Sequence, residues 1–267
     1  MLRPAILVLL LAPSAAWAGA WTLERGRSSV FITSEFTYGD HGFDVDGNLI
    51  NVPEYQKFTL RTTVEYGVRD WLTGIGKAEL KEETRYETIV FDSVFFRPLE
   101  RIDIRGQQTF GSVAGGARVR LYNAPSWVFS AEALASSGGF DSYGITDEND
   151  QPSIEGRALV GIGGEIAGRP VFADVQAAYR TFFDDDAADE VKLDVTLGAK
   201  ILPNWLILAQ TFTTYRTDGD SHHTKLVGSV VRDINERLSV QLGGGGTVYG
   251  KNALQEWTGN LSLWWNF

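Results

Sequence analysis

Glu256-Trp257-Thr258-Gly259-Asn260-Leu261-Ser262-Leu263-Trp264-Trp265-Asn266-Phe267 is the stretch that decides the fold. Its odd positions are Trp257, Gly259, Leu261, Leu263, Trp265 and Phe267. Its even positions are polar, with Trp264 the exception. A period of two puts one apolar and one wet face on an extended chain, so this is a strand and not a helix. A strand at the end of a chain leaves a row of unpaired N–H and C=O groups unless a sheet takes it in. The period alone allows an edge strand of a soluble sandwich or the last strand of a closed barrel. The rest of the chain favours the barrel, because it repeats the same pattern.

Working back from that stretch, Ser28–Tyr38 sets Val30, Ile32, Ser34, Phe36 and Tyr38 against Ser29, Phe31, Thr33, Glu35 and Thr37. A polar loop is expected over Gly39–Pro53. Glu54–Val68 turns Phe58, Leu60, Val64, Tyr66 and Val68 outward and Lys57, Arg61 and Glu65 inward, and Leu72–Lys81 brings Lys77 and Glu79 inward. Thr109–Tyr122 contributes Arg118 and Arg120, Trp127–Ala135 contributes Glu132, and Ile154–Ile166 contributes Glu155, Arg157 and Glu165. Val171–Phe182 adds Asp174 and Arg180. Val191–Ile201 alternates most cleanly, with Lys192, Asp194 and Lys200 inward. Trp205–Arg216, which ends on Arg216, His223–Arg232, Leu238–Tyr249 and the closing strand complete the series. The total is about twelve strands, an even number, with prolines confined to connections or their edges. Glu82–Gln107 is irregular and reads either as the tall tops of two strands or as a loop folded inward.

Two resemblances follow from these residues. The closing strand, ending on Phe267, resembles that of bacterial outer-membrane β-barrels, whose assembly machinery reads such a strand. The phrase Glu65-Tyr66-Gly67-Val68-Arg69-Asp70-Trp71-Leu72-Thr73, with Ala20-Trp21-Thr22, is similar to XagA proteins, a poorly characterised barrel group. The resemblance implies an all-β, transmembrane, antiparallel up-and-down barrel with short periplasmic turns and longer extracellular loops. Assembly machinery, outer-membrane lipid and lipopolysaccharide are then its expected partners. It implies no catalytic residues.

The start of the chain agrees with export. Met1-Leu2-Arg3 is basic, Ala5 to Ala12 is apolar, and Ala16-Trp17-Ala18 has the small-x-small form of a cleavage site. Residues 1–18 therefore read as a signal peptide, with residues 19–267 as one barrel domain in the bacterial outer membrane. No later run is long and apolar enough for a membrane helix. The absence of cysteine excludes disulfides and thiolate metal sites. A formal charge of −10 argues against nucleic acid, which needs a basic surface. An acidic balance of this kind fits solvated outer loops, a reading favoured over loops that bind divalent cations beside lipopolysaccharide.

Aromatic residues mark two levels. Trp71, Trp127 and Trp205 adjoin short turns, as do Trp264, Trp265 and Phe267, while Tyr38, Tyr179, Tyr215, Tyr249 and Trp257 lie at loop ends. Such belts belong at the lipid headgroups. Inside, charges of both signs either line a narrow water-filled passage or pair into a lattice that fills it. About twelve strands lies between filled eight-stranded barrels and open sixteen-stranded ones. Small inward residues such as Gly161, Gly198 and Gly243 leave room, which favours a passive channel for small polar or charged solutes. A non-conducting barrel acting in adhesion, envelope structure or loop binding is the alternative. A hydrolase built on Ser221-His222-His223 is the third reading, but no motif supports it. Asp44-Val45-Asp46-Gly47-Asn48 echoes a calcium loop, but Tyr55 stands where the closing Glu belongs, so no metal or cofactor is expected.

Overall fold

The computed structural model describes residues 19–90, 101–141, 151–183 and 187–267; the side chains of 85–90, 101–110 and 140–141 are outside the description. Among these residues the strands are β1 (Ser28–Phe43), β2 (Leu49–Arg69), β3 (Leu72–Val90), β4 (Arg101–Asn123), β5 (Trp127–Ser136) and β6 (Phe140–Asp141). They continue with β7 (Ser153–Ile166), β8 (Arg169–Phe182), β9 (Glu190–Leu202), β10 (Trp205–Arg216), β11 (His222–Asp233), β12 (Leu238–Lys251) and β13 (Ala253–Asn266). The two-residue β6 continues the line of β5 along β4. The other twelve form one closed antiparallel ring, in which β1 pairs with both β2 and β13 and β3 pairs with β4.

Closure satisfies every strand on both sides, which matters most where no water is present to bond a free edge. At the seam the Phe267 N–H donates to the Ser28 carbonyl at 2.9 Å, beside the register Val30↔Trp265 and Ile32↔Leu263. The outer face carries large apolar side chains left uncovered by the protein, among them Val64 (43% exposed), Leu197 (52%) and Leu242 (67%). Apolar area of that extent is unfavourable in water and is stable against hydrocarbon.

The turns at the end where β1 begins have visible causes. Ala167 (φ 51°) and Gly168 (φ 72°) join β7 to β8 with two left-handed residues, the geometry that matches strand twist in a two-residue hairpin. Between β11 and β12, the Asn235 side-chain oxygen accepts the N–H groups of Arg237 and Leu238.

Several strands run further than the alternation predicts. Most of the expected loop over Gly39–Pro53 is strand, and the connection is only residues 44–48. Pro53 consequently lies within β2, between paired Asn51 and Tyr55, where a register shift leaves it out of the ladder. The irregular segment splits into the tops of β3 and β4, paired up to Val90↔Arg101, so the described parts of Glu82–Gln107 are strand and not an inward loop; residues 91–100 lie outside the description. The connection between Leu238–Tyr249 and the closing strand shrinks to Asn252 between two strands, with φ 45°. Alternation fades in these tops because, clear of lipid, both faces are wet and nothing selects apolar residues on one of them.

Candidate functional site in the barrel lumen

The inner surface is built from ion pairs that skip a strand. Arg118 on β4 reaches Glu65 on β2 (3.0 Å) as well as Glu132 on its neighbour β5 (2.8 Å). Arg157 on β7 meets Asp194 on β9 at 2.6 Å and Glu155 on its own strand at 2.8 Å, and Lys192 on β9 returns to Glu155 at 2.9 Å. Glu256 on β13 is paired with Lys57 on β2 (3.7 Å) and with Lys225 on β11. Lys200 on β9 meets Asp233 on β11 at 3.2 Å. Strands two apart in the ring stand about 9–10 Å from each other. Side chains span that gap only on the concave face, where they converge.

Other predicted lumen residues complete this picture. Arg61 pairs with Glu79 at 2.5 Å, Lys81 joins that carboxylate at 3.2 Å, and Arg180 meets Glu190 at 3.7 Å. Arg216 pairs locally with Asp218 at 3.3 Å. Glu35, Lys77, Arg120 and Glu165 form no ion pair among the described residues. The two signs are interleaved and not sorted onto opposite walls, so they neutralise one another locally.

Toward the end with the short turns the lumen also holds an apolar cluster. Trp264 is 9% exposed and packs with Leu208, Val231, Phe31, Phe172 and Leu206. Placing it with the membrane-interface aromatics is therefore corrected: it sits at an even, inward position of β13 and makes an edge-on contact with Phe31. Trp71, Trp127, Trp265 and Phe267 do lie exposed at that end, and Tyr179, Tyr215, Tyr249 and Trp257 lie exposed toward the other. Trp205 is half-buried under the Arg232 guanidinium, and Tyr38 donates to Asp40. The apolar cluster has a sequence signal: β10 reads Leu206-Ile207-Leu208-Ala209, apolar on both faces, the pattern of a strand buried on both sides.

Part of the remaining space at this level is taken by the start of the segment 19–27, whose residues 24–27 lie exposed at the rim and which the sequence offers only as the start of a mature chain. This segment enters the lumen beside β1 and crosses to β8, six strands away in either direction around the ring. The Gly26 N–H donates to the Gly67 carbonyl (2.8 Å), Arg25 N–H to Asp70 (2.9 Å), Leu23 N–H to Thr73 Oγ1 (2.9 Å), and Ala20 N–H to Asp174 Oδ2 (2.9 Å). The Ala20 and Trp21 carbonyls accept from Ser130 Oγ (2.6 Å) and Arg118 Nη1 (3.1 Å). Ala20 is wholly buried, packed with Val128 and Leu159, and Trp21 lies against them. The Trp21 ring occupies the place a side chain at Gly161 would take, and the Phe172 ring does the same at Gly198. The inward glycines do leave room, and aromatic rings fill it.

Beside the segment a cavity of about 190 Å³ persists, with Gly19 at its rim. Its lining mixes Phe172, Leu206, Leu208, Phe212 and Trp264 with Gln176, Asp194, Thr196, Gln210 and Gln241. The motifs considered for chemistry lie elsewhere. His222 faces outward, stacked on Tyr215 and near Tyr249, so it does not share a surface with His223, the next residue of the strand. Asp44 accepts the backbone N–H groups of Asp46 and Asn48, chiefly the latter, which hold its carboxyl below the usual range as the cap of a turn.

The chain is similar in structure to a COG4313 outer membrane channel from Pseudomonas putida F1, at 12% identity over 93% of this chain and 98% of that one, with a TM-score of 0.62. It is also similar to the NanC porin, at 9% identity over 88% and 98% with a TM-score of 0.53. The transport unit of the autotransporter AIDA-I from Escherichia coli matches at 10% identity over 90% of each chain, with a TM-score of 0.50. At these identities the likeness is one of fold: a closed twelve-stranded barrel of the bacterial outer-membrane kind. No family model matches the chain, and no curated protein matches it, so the similarity to XagA proteins gains no support.

Proposed function

We propose that this protein is a bacterial outer-membrane channel for small solutes, held closed in the described state by its own N-terminal segment. The observation that carries the reading is the segment itself. Residues 20–23 reach into the lumen on isolated hydrogen bonds to β8, β5, β4 and β3, and only Gly26 and Arg27, at the exposed rim, continue the ladder with Gly67 of β2. A part held in that way can leave without unfolding the barrel. The similar outer-membrane channel and porin support the same reading at the level of fold.

The lining revises the expected solute. Interleaved charges set up no strong field, and the cavity lining combines apolar side chains with three amides, a hydroxyl and one carboxylate. That surface favours a small uncharged molecule with a polar end and an apolar body over an inorganic ion. The protein acts as a passage and not as an enzyme. Residues 1–18 are its cleaved export signal, β13 is read by the assembly machinery, and the outer loops meet lipopolysaccharide.

Liposome swelling tests this directly. Vesicles carrying the protein should admit small amphiphilic solutes faster than sugars of equal size, and faster still once residues 19–26 are deleted. Equal, negligible swelling in every case would favour a structural barrel, for which the packed base around Trp264 is the supporting observation.

A further inference from the structure

We infer that the barrel wall carries a built receptor for the chain's own α-amino group: the ammonium freed by cleavage between Ala18 and Gly19 docks between Asp174, Gln176 and Asp194 and holds the segment in the lumen. The inference rests on the reading of residues 1–18 as a cleaved leader.

Asp174 is the starting point. It is 1% exposed, and among the described residues no cationic side chain pairs with it, unlike Glu65, Glu79, Glu132, Glu155 and Asp194. A buried carboxylate with no cation in contact is unfavourable, and Arg118 and Arg157 act on this one only from beyond ion-pair distance. Its partners are the Ala20 N–H at 2.9 Å and the Gln176 side-chain amide at 2.5 Å, both neutral donors. Gly19 is one residue from that N–H, a side chain in its place would collide with the Gln176 amide, and it opens on the cavity that Asp194 lines. Gln176 also accepts from Arg157, which pairs with Asp194, so one polar network runs between the two carboxylates. An ammonium at Gly19 would bring three donors and a second positive charge, beside that of Arg157, to the two carboxylates of that network.

The test begins with export of the full chain in a Gram-negative host and sequencing of its N-terminus, which should start at Gly19; a start at Trp21 overturns the inference. The purified protein is then labelled with 2-pyridinecarboxaldehyde, which reacts with free α-amines, in detergent and in urea. We expect labelling at least tenfold slower in the folded protein. We also expect that carbamylating the α-amine of unfolded chain before refolding frees the segment, so that trypsin cuts faster after Arg25 and Arg27, which already lie exposed at the rim. Asp174→Asn should speed labelling; if that variant does not fold, the carbamylated chain carries the comparison alone. Equal labelling rates in detergent and urea, or unchanged trypsin resistance after carbamylation, overturn the inference. Neither readout involves transport: a protected amine in a barrel that never conducts would leave this inference standing and remove the channel reading. A reactive amine in a barrel that conducts on deletion would do the reverse.

Discussion

Arg118 on β4 and Glu65 on β2 lie 3.0 Å apart across the intervening β3, with 7% and 13% of their side chains exposed. The same guanidinium holds Glu132 at 2.8 Å and the Trp21 carbonyl at 3.1 Å, so one side chain ties three strands to the N-terminal segment. Removing it leaves two buried carboxylates without their cation. Arg118→Ala should destabilise the barrel by about 3–5 kcal/mol, the usual consequence of breaking a buried pair. Urea unfolding in phospholipid vesicles measures this, and adding Glu65→Gln and Glu132→Gln should recover part of the loss.

Adjacent residues of β9 test the facing of the wall. Leu197 is 52% exposed on the outside, whereas Thr196 lines the cavity and accepts a hydrogen bond from Gln210. Leu197→Arg should cost about 2–4 kcal/mol if it lies near the bilayer midplane. Thr196→Arg should cost less and instead reduce solute flux. Equal losses of stability at both sites would mean that the assigned faces are wrong.

Glycines one pitch apart on β7 test the plug. A Cβ at Gly161 overlaps the Trp21 ring, whereas one at Gly163 meets nothing within 4 Å. Gly161→Val should therefore displace Trp21, shift its fluorescence toward the red and raise solute flux, with Gly163→Val as the silent control.

At the β7–β8 hairpin, Ala167 holds a left-handed conformation, φ 51°, that disfavours any residue with a Cβ. Ala167→Gly should raise stability by about 1 kcal/mol, read as a higher urea midpoint.

The lipid face was legible in the sequence because hydrocarbon selects strictly for apolar residues at every second position, as over Val191–Ile201. The short turns were legible for a related reason, since Pro203, Asn204 and Gly168 mark them chemically. The lumen was only half legible. Inward charges can be read one by one, but the partner of Arg118 depends on β2 standing two strands away, and no local pattern records that distance. Trp264 breaks the alternation at one position, yet its contact with Val231 and Leu208 arises only when the ring closes. The segment Gly19–Arg27 has no period at all. Its only trace is indirect: inward glycines on β7 and β9 whose missing side chains leave space for Trp21 and Phe172.

Single-channel recording in planar bilayers addresses the closed-channel account most directly. The chain spanning residues 19–267 should show low, rarely interrupted conductance, and the same chain lacking residues 19–26 should show a larger, stable step. The same small conductance from both, or none from either, would contradict the account and leave a barrel that does not serve as a passage.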